Sequence, residues 1–178
     1  MKILIIHNHY KHPGGEDKVV EAEKRMLEKF GHKVILYEQS NFQFDDLKLL
    51  SQIAFTLKGV FWSKHSYQAI RQLIKDERPD IAHFHNAFFF VSSSAYEACY
   101  EARIPMVQTL HNYRFLCPIG TFYRKRQVCE NCLQSGKISA VVHKCWKNSF
   151  FYSLLLVMVL RDLKKEKFSL KKLITLLP

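Results

Sequence analysis

The order of signals in the first 37 residues constrains the fold more than anything else in the chain. Lys2-Ile3-Leu4-Ile5-Ile6 is a short, continuous, β-branched run, which reads as a buried strand. The run breaks at His7, and a polar loop with Pro13-Gly14-Gly15 follows. Glu16 and Asp17 then open a helix, where carboxylates oppose the positive end of the macrodipole. Val19, Val20, Met26, Leu27 and Phe30 recur at helical spacing, and Gly31 suits a C-terminal stop. Lys33 to Tyr37 reads as a second strand. Strand, glycine loop, helix, strand is a βαβ unit, and its sheet should be parallel.

Further along, residues 42–78 read as mostly helical, with Gly59 as a break and Phe55, Val60, Phe61 and Trp62 as an apolar face. Ile81 to Phe84 reads as a strand, Ser92-Ser93-Ser94 as an N-cap for a helix to Glu101, and Met106 to Leu110 as another strand. Residues 111–149 then turn loop-like, basic and rich in Cys; residues 150–163 read as an apolar helix, and the end is Lys-rich. At 48% hydrophobic and 24% charged, the chain of 178 residues is globular and long enough for a full core, which excludes disorder and collagen. The longest apolar run, Phe150 to Leu160, falls short of the roughly 18 residues a membrane span needs. The start is not that of a signal peptide, so a cytoplasmic, thiol-reducing compartment is expected, which disfavours a disulfide scaffold.

Charge is uneven. Residues 1–100 hold 13 Lys and Arg against 12 Asp and Glu, and residues 101–178 hold 14 against 4. A basic back half attracts phosphates, in nucleic acid, lipid headgroups or substrates, and a Lys-rich tail also serves solubility alone.

In an open parallel sheet, ligands bind outside the carboxyl ends of the strands. Three predicted strands run into the same dipeptide, His7-Asn8, His85-Asn86 and His111-Asn112, and the Gly14-Gly15 loop belongs to the same edge. Glycines admit close approach to a phosphate at a helix N-terminus, imidazoles donate or exchange protons near neutral pH, and Asn binds hydroxyls. Singly, each has a plainer reading as a tight turn or a satisfied structural side chain; together they mark a candidate ligand cleft. Neither the dinucleotide fingerprint nor a Walker pattern is present, which disfavours nicotinamide enzymes and P-loop NTPases.

Cys117, Cys129, Cys132 and Cys145 form a second constellation. The central Cys-x-x-Cys lets two thiolates reach one metal, and the outer pair can complete a tetrahedron, so structural zinc is expected. The segment between them is basic and poor in apolar residues and would need such a staple; His143 is a substitute ligand, and a redox Cys-x-x-Cys or unlinked thiols are the plainer alternatives. Cys99, in a predicted helix, reads as a core thiol.

The segments "MKILIIHNHYKHPGGEDKVV", "DIAHFHN" and "VQTLHNYRFLCPIGTFYRKRQVCENCL" resemble the N-terminal half of family 4 glycosyltransferases of the GT-B fold, in a subgroup with a Cys-rich insert. The resemblance covers roughly residues 1–155. It implies a Rossmann-like parallel sheet with helices on both faces and a retaining hexosyltransferase that builds bacterial polysaccharide or glycolipid. In such enzymes an acceptor-side domain faces a domain that holds the nucleotide-sugar, and transfer needs no catalytic metal. The correspondence maps the glycine loop at donor phosphates onto Gly14 and Gly15, and the His at the reaction centre onto His111; His85, Asn86 and Asn112 are the further substrate-binding candidates. The donor-side domain, with its basic pair and paired glutamates, is expected to be absent from residues 1–178, so that the chain is inactive alone and is a fragment, a truncated gene product or a stand-alone half that needs a partner. The expected partners are that half, a sugar or lipid-linked acceptor, and an anionic membrane surface touched peripherally from the inner face. Two other classes compete: a zinc-stabilised basic module stacking nucleic acid on Tyr113, Phe115, Phe122, Tyr123 and Trp146, disfavoured by the neutral front half, and a pseudoenzyme scaffold.

Overall fold

The computed structural model describes residues 1–9, 14–40, 62–86 and 91–165. The expected helical stretch from 42 with its Gly59 break, Pro13 of the glycine loop, and the Lys-rich tail past 165 lie outside the described residues. Two compact units divide the chain, one spanning Met1–Thr109 and the other Leu110–Lys167.

The first unit alternates strand and helix: β1 (Lys2–His9), α1 (Gly15–Lys29), β2 (Lys33–Ser40), α2 (Lys64–Glu77), β3 (Ile81–Phe84), α3 (Ser92–Glu101) and β4 (Met106–Gln108). All four strands are parallel, in the order β2–β1–β3–β4. This is the expected α/β, Rossmann-like architecture. The chain leaves β1 toward β2 and returns on the other side to β3, so the topological switch point lies between β1 and β3.

Alternation along the strands builds two cores. Leu4 and Ile6 face α2 and α3 and pack with Tyr37, Ile70, Phe84, Ala95 and Met106, with Phe84 stacked on Tyr96 at 4.1 Å between centroids. Ile3 and Ile5 face α1 and pack with Val20, Leu27, Val34, Leu36 and Ile81. A strand buried on both faces must read as a continuous apolar run, which is why Ile3 to Ile6 has no polar break. Cys99 is fully buried in α3, where burial pushes its thiol up to about 12.

Several expectations need correction. β1 does not end at His7: the ladder with β2 runs on through His7–Glu38, Asn8–Gln39 and His9–Ser40, because paired polar residues keep the strand extended. β4 stops at Gln108, two residues before Leu110. Of the apolar residues counted on α1, Val19, Met26 and Phe30 are exposed, and Val20 and Leu27 make the contact with the sheet. Gly31, at φ +79°, closes α1 as expected: its N–H reaches Glu28 O and that of His32 reaches Leu27 O, the double bond of a Schellman end. The serines before α3 do not cap it. Ser92 Oγ instead accepts the Ser63 N–H at 3.0 Å, beside the start of α2.

The second unit holds a two-residue-strand hairpin, β5 (Tyr123–Arg124) and β6 (Gln127–Val128), then α4 (Asn131–Gln134), α5 (Ile138–Val142) and α6 (Phe150–Lys165). One core cluster joins Ala140, Val141 and Val157, flanked by Cys132, Cys145 and Leu154, and Cys117, Leu156, Val159 and Leu160 are buried as well. Among the described residues no helix is long and apolar enough to cross a membrane.

Candidate functional site

The α1-facing side of the sheet changes character along the strands. Its amino-terminal half is apolar; toward the carboxyl end, the same alternation brings His7 and His9 from β1, Glu38 from β2, and His83 and His85 from β3 to that face. From α1, Asp17 and Glu23 project onto it, on the stripe Asp17, Val20, Glu23, Leu27 that returns every three or four residues. The carboxyl edge of the sheet is therefore a layer of four imidazoles and three carboxylates.

Asp17 organises its β1 side. Oδ1 accepts N–H from His7 Nε2 at 2.9 Å and from His9 Nδ1 at 2.6 Å, while Oδ2 accepts the Gly14 backbone N–H at 2.6 Å. His9 Nε2 lies 2.8 Å from Glu38 Oε1. With carboxylates at both ring nitrogens, His9 is held as an imidazolium: burial works against its charge, but the bonds to Glu38 and Asp17 outweigh it and raise its pKa. His7 has no exposed surface; burial lowers its pKa despite the Asp17 bond, so it is a neutral Nε2–H tautomer. Burial alone would raise the Asp17 carboxyl, yet the bonds from His7, Gly14 and His9 hold it at about 2.

On the β3 side, Glu23 Oε1 lies 3.0 Å from His83 Nδ1 and Oε2 3.4 Å from His85 Nε2. The His83 and His85 rings are 4.4 Å apart, and His7 and His85 face each other edge to face at 6.3 Å across the switch point. Asn86 Nδ2 donates to Asn8 O at 3.0 Å and bridges the same gap. Gln108 braces the end of β4: its amide donates to His85 O and Thr109 O, both at 2.8 Å, and its oxygen accepts the Tyr96 hydroxyl. His7–His9–Asp17 and Glu23–His83–His85 each bring three ligand atoms within 4.8 Å of one another. Chemically, each cluster can relay a proton or hold a borderline cation through two nitrogens and an oxygen.

Gly14 and Gly15 lie at the start of α1. Neither takes a positive φ, and a Cβ added at either would meet nothing within 4 Å among the described residues. No described residue therefore demands glycine at these two positions. The Gly14 N–H is taken by Asp17 Oδ2, and the first-turn N–H groups of α1 have no acceptor within the helix.

Of the residues singled out by sequence, His7, Asn8, His85, Asn86, Gly14 and Gly15 fall in the first unit around this layer. His85 and Asn86 are buried, with Asn86 bonded to Asn8. His111 and Asn112 lie beyond β4, in the second unit, and His111 is half-buried. Asn112 has a local task there: its Oδ1 accepts the Arg114 N–H at 3.0 Å, and a Cβ at Gly120, at φ +82°, would stand 3.2 Å from that oxygen. Arg114 in turn sits over Trp146 at 5.1 Å. Cys117, Cys129, Cys132 and Cys145 all line one cavity. Sequence reasoning missed His83, Glu23, Glu38 and Gln108, and it took Asp17 only as a helix-dipole residue. The period of two, applied past Ile6, would have paired His83 with His85 and His7 with His9.

The Glycosyltransferase Family 4 profile matches residues 13–135, and the chain belongs to that family. Curated proteins give no match. Among solved structures, an S. aureus MnaA–UDP co-structure is similar at 17% identity and a TM-score of 0.42, covering 85% of this chain. The chain spans 42% of that protein's length.

Proposed function

We propose that these residues supply the acceptor-side half of a retaining, nucleotide-sugar-dependent transferase of polysaccharide or glycolipid synthesis, with the carboxyl edge of the sheet as its part of the active site. The reading is carried by Gly14 and Gly15: two glycines that no described residue requires, at a helix N-terminus beside the β1–β3 switch point. A donor diphosphate that approaches the backbone would require them. His9, whose pKa the bonds to Glu38 and Asp17 raise against its burial, braces that side of the edge. His85 and Asn86 act from behind, bracing the edge; Asn112 shapes the loop that carries His111, and His111 meets the reacting sugar.

Departure of a nucleoside diphosphate needs developing negative charge to be stabilised in a water-poor site. The opposing wall, with cationic residues and a nucleotide grip, belongs in this reading to a donor-side domain outside residues 1–178. Ground-state contacts alone do not lower the barrier, so this half by itself transfers nothing. The test is a sugar-transfer assay on the chain alone and mixed with a donor-side half. Transfer is expected only in the mixture, where His111→Ala cuts turnover by roughly 10²-fold or more, the scale for one positioned polar or acid–base group. Robust transfer by the chain alone, or a His111→Ala mixture as fast as wild type, contradicts the reading.

A further inference from the structure

The second unit contains a feature the transferase reading does not use. Four thiols from three stretches of chain, spread over 29 positions, meet at one cavity: Cys117, Cys129, Cys132 and Cys145, with Pro118 and Ala140 in the wall. Each stretch is turned toward it by its own backbone bonds. The turn after Cys117 closes through Gly120 N–H to Cys117 O at 2.7 Å. The β5–β6 hairpin ends with Cys129 N–H on Phe122 O at 2.8 Å, α4 carries Cys132, and the end of α5 delivers Cys145, whose N–H bonds Ala140 O at 2.9 Å.

The geometry points to a closed structural metal site in which these four cysteines hold one zinc ion as thiolates. A hairpin knuckle supplies Cys129 and Cys132, and the outlying Cys117 and Cys145 complete the tetrahedron. The sulfurs ring the cavity more loosely than the two histidine–carboxylate clusters of the first unit, so the ion draws them inward. Binding exchanges S–H for S–Zn bonds without redox change, and the thiol protons leave to solvent.

Three observations favour this over free thiols. The Cys129 sulfur accepts the Asn131 backbone N–H and faces the Arg124 guanidinium. N–H groups aimed at sulfur stabilise the thiolate, the form that binds metal. The four thiols line one cavity, where they cannot all ionise without a cation among them, and a divalent ion removes that penalty. Finally, two of the three partly buried residues packed on the Ala140, Val141 and Val157 cluster are Cys132 and Cys145, so a metal held there would tie that cluster to the rest of the site. Four sulfurs leave no open coordination position, so the ion has no part in catalysis. Arg124, Lys125, Arg126, Lys137 and Lys144 offset the negative charge that a tetrathiolate site retains.

The full chain, purified without added metal, is expected to carry about one zinc per chain by elemental analysis, as a closed four-thiolate site implies. Cys132→Ser should lose it, and Cys99→Ala, outside the site, should keep it. Should Cys132→Ser fail to fold, cobalt exchange into the wild-type chain decides: the account expects the visible d–d and sulfur-to-metal bands of tetrahedral cobalt thiolate. Four thiols that react freely in the native chain, equally fast with and without chelator, overturn the proposal. So does iron in place of zinc, or a mass showing two hydrogens lost to a disulfide.

Discussion

The two units of this chain are held by different means. The first follows the ordinary logic of an α/β domain: a parallel sheet with one apolar layer against α1 and another against α2 and α3. The second joins a two-residue-strand hairpin and two short helices to the 16-residue α6, through an irregular backbone. Phe122, Lys125, Arg126, Lys144, Lys147 and Asn148 adopt positive φ there without being glycine, against Arg78, Ser92 and Arg103 among the described residues of the first unit. Such conformations persist only where surrounding structure over-determines them. In the first unit two apolar layers bury the sheet; in the second, four thiols line one cavity.

Core truncation should therefore break the first unit most severely. Phe84 is fully buried and stacked on Tyr96, so Phe84→Ala is expected to lower stability by about 3–5 kcal/mol, read by denaturant unfolding. A loss below about 1 kcal/mol would mean that the sheet is not held by this layer.

The polar end of the same sheet sharpens the comparison through pH. Asp17, held at about 2 against an ordinary value near 3.9, contributes stability that is present above that ordinary value and lost as pH falls through about 2. His9, raised, contributes stability that is complete below 6.5 and lost as pH rises through its folded pKa. His7, lowered, has the opposite sign: its contribution is present above 6.5 and lost as pH falls through its folded value. Imidazole NMR titration should place the His9 midpoint above 6.5 and the His7 midpoint below it, with Asp17→Asn lowering that of His9. Coincident midpoints would dissolve the relay.

A smaller effect is expected in the second unit. Lys125 and Arg126 form a two-residue turn with φ of 51° and 64°, where side chains are strained. Arg126→Gly should stabilise the hairpin by ~1 kcal/mol, the scale of one left-handed residue, read by amide exchange at Tyr123 and Val128. Destabilisation would mean that Arg126 makes a contact outweighing the strain.

Much of the first unit was legible because both periods are carried by apolar residues. Ile3 to Ile6 reads as a two-faced strand, and parallel pairing follows from the βαβ order. What did not follow was the polar continuation. His7 and His9 look like a strand's end until β2 and β3 are beside them, and Asp17 looks like a helix-dipole residue until its two oxygens are seen on His7, His9 and Gly14. Ser92 likewise reads as a cap for its own helix and serves the start of another. Local propensity cannot report which partner a polar group finds across the fold. The cysteine spacing was more informative, since ligand geometry is itself a long-range constraint, and the four thiols do share one cavity.

The central claim is that Gly14 and Gly15 are kept open for a ligand rather than for the fold. Neither has positive φ, and a side chain at either finds empty space among the described residues, so Gly15→Ala should leave stability unchanged or raise it by about 0.4–1 kcal/mol through the unfolded state. Titration of the full chain with a nucleoside diphosphate, followed by amide NMR, tests the claim directly. Wild type should show shifts at Gly14, Gly15 and the first turn of α1, and Gly15→Val, folded and as stable, should lose them. Shifts of equal size in Gly15→Val, or none at this helix start in wild type, would contradict the account.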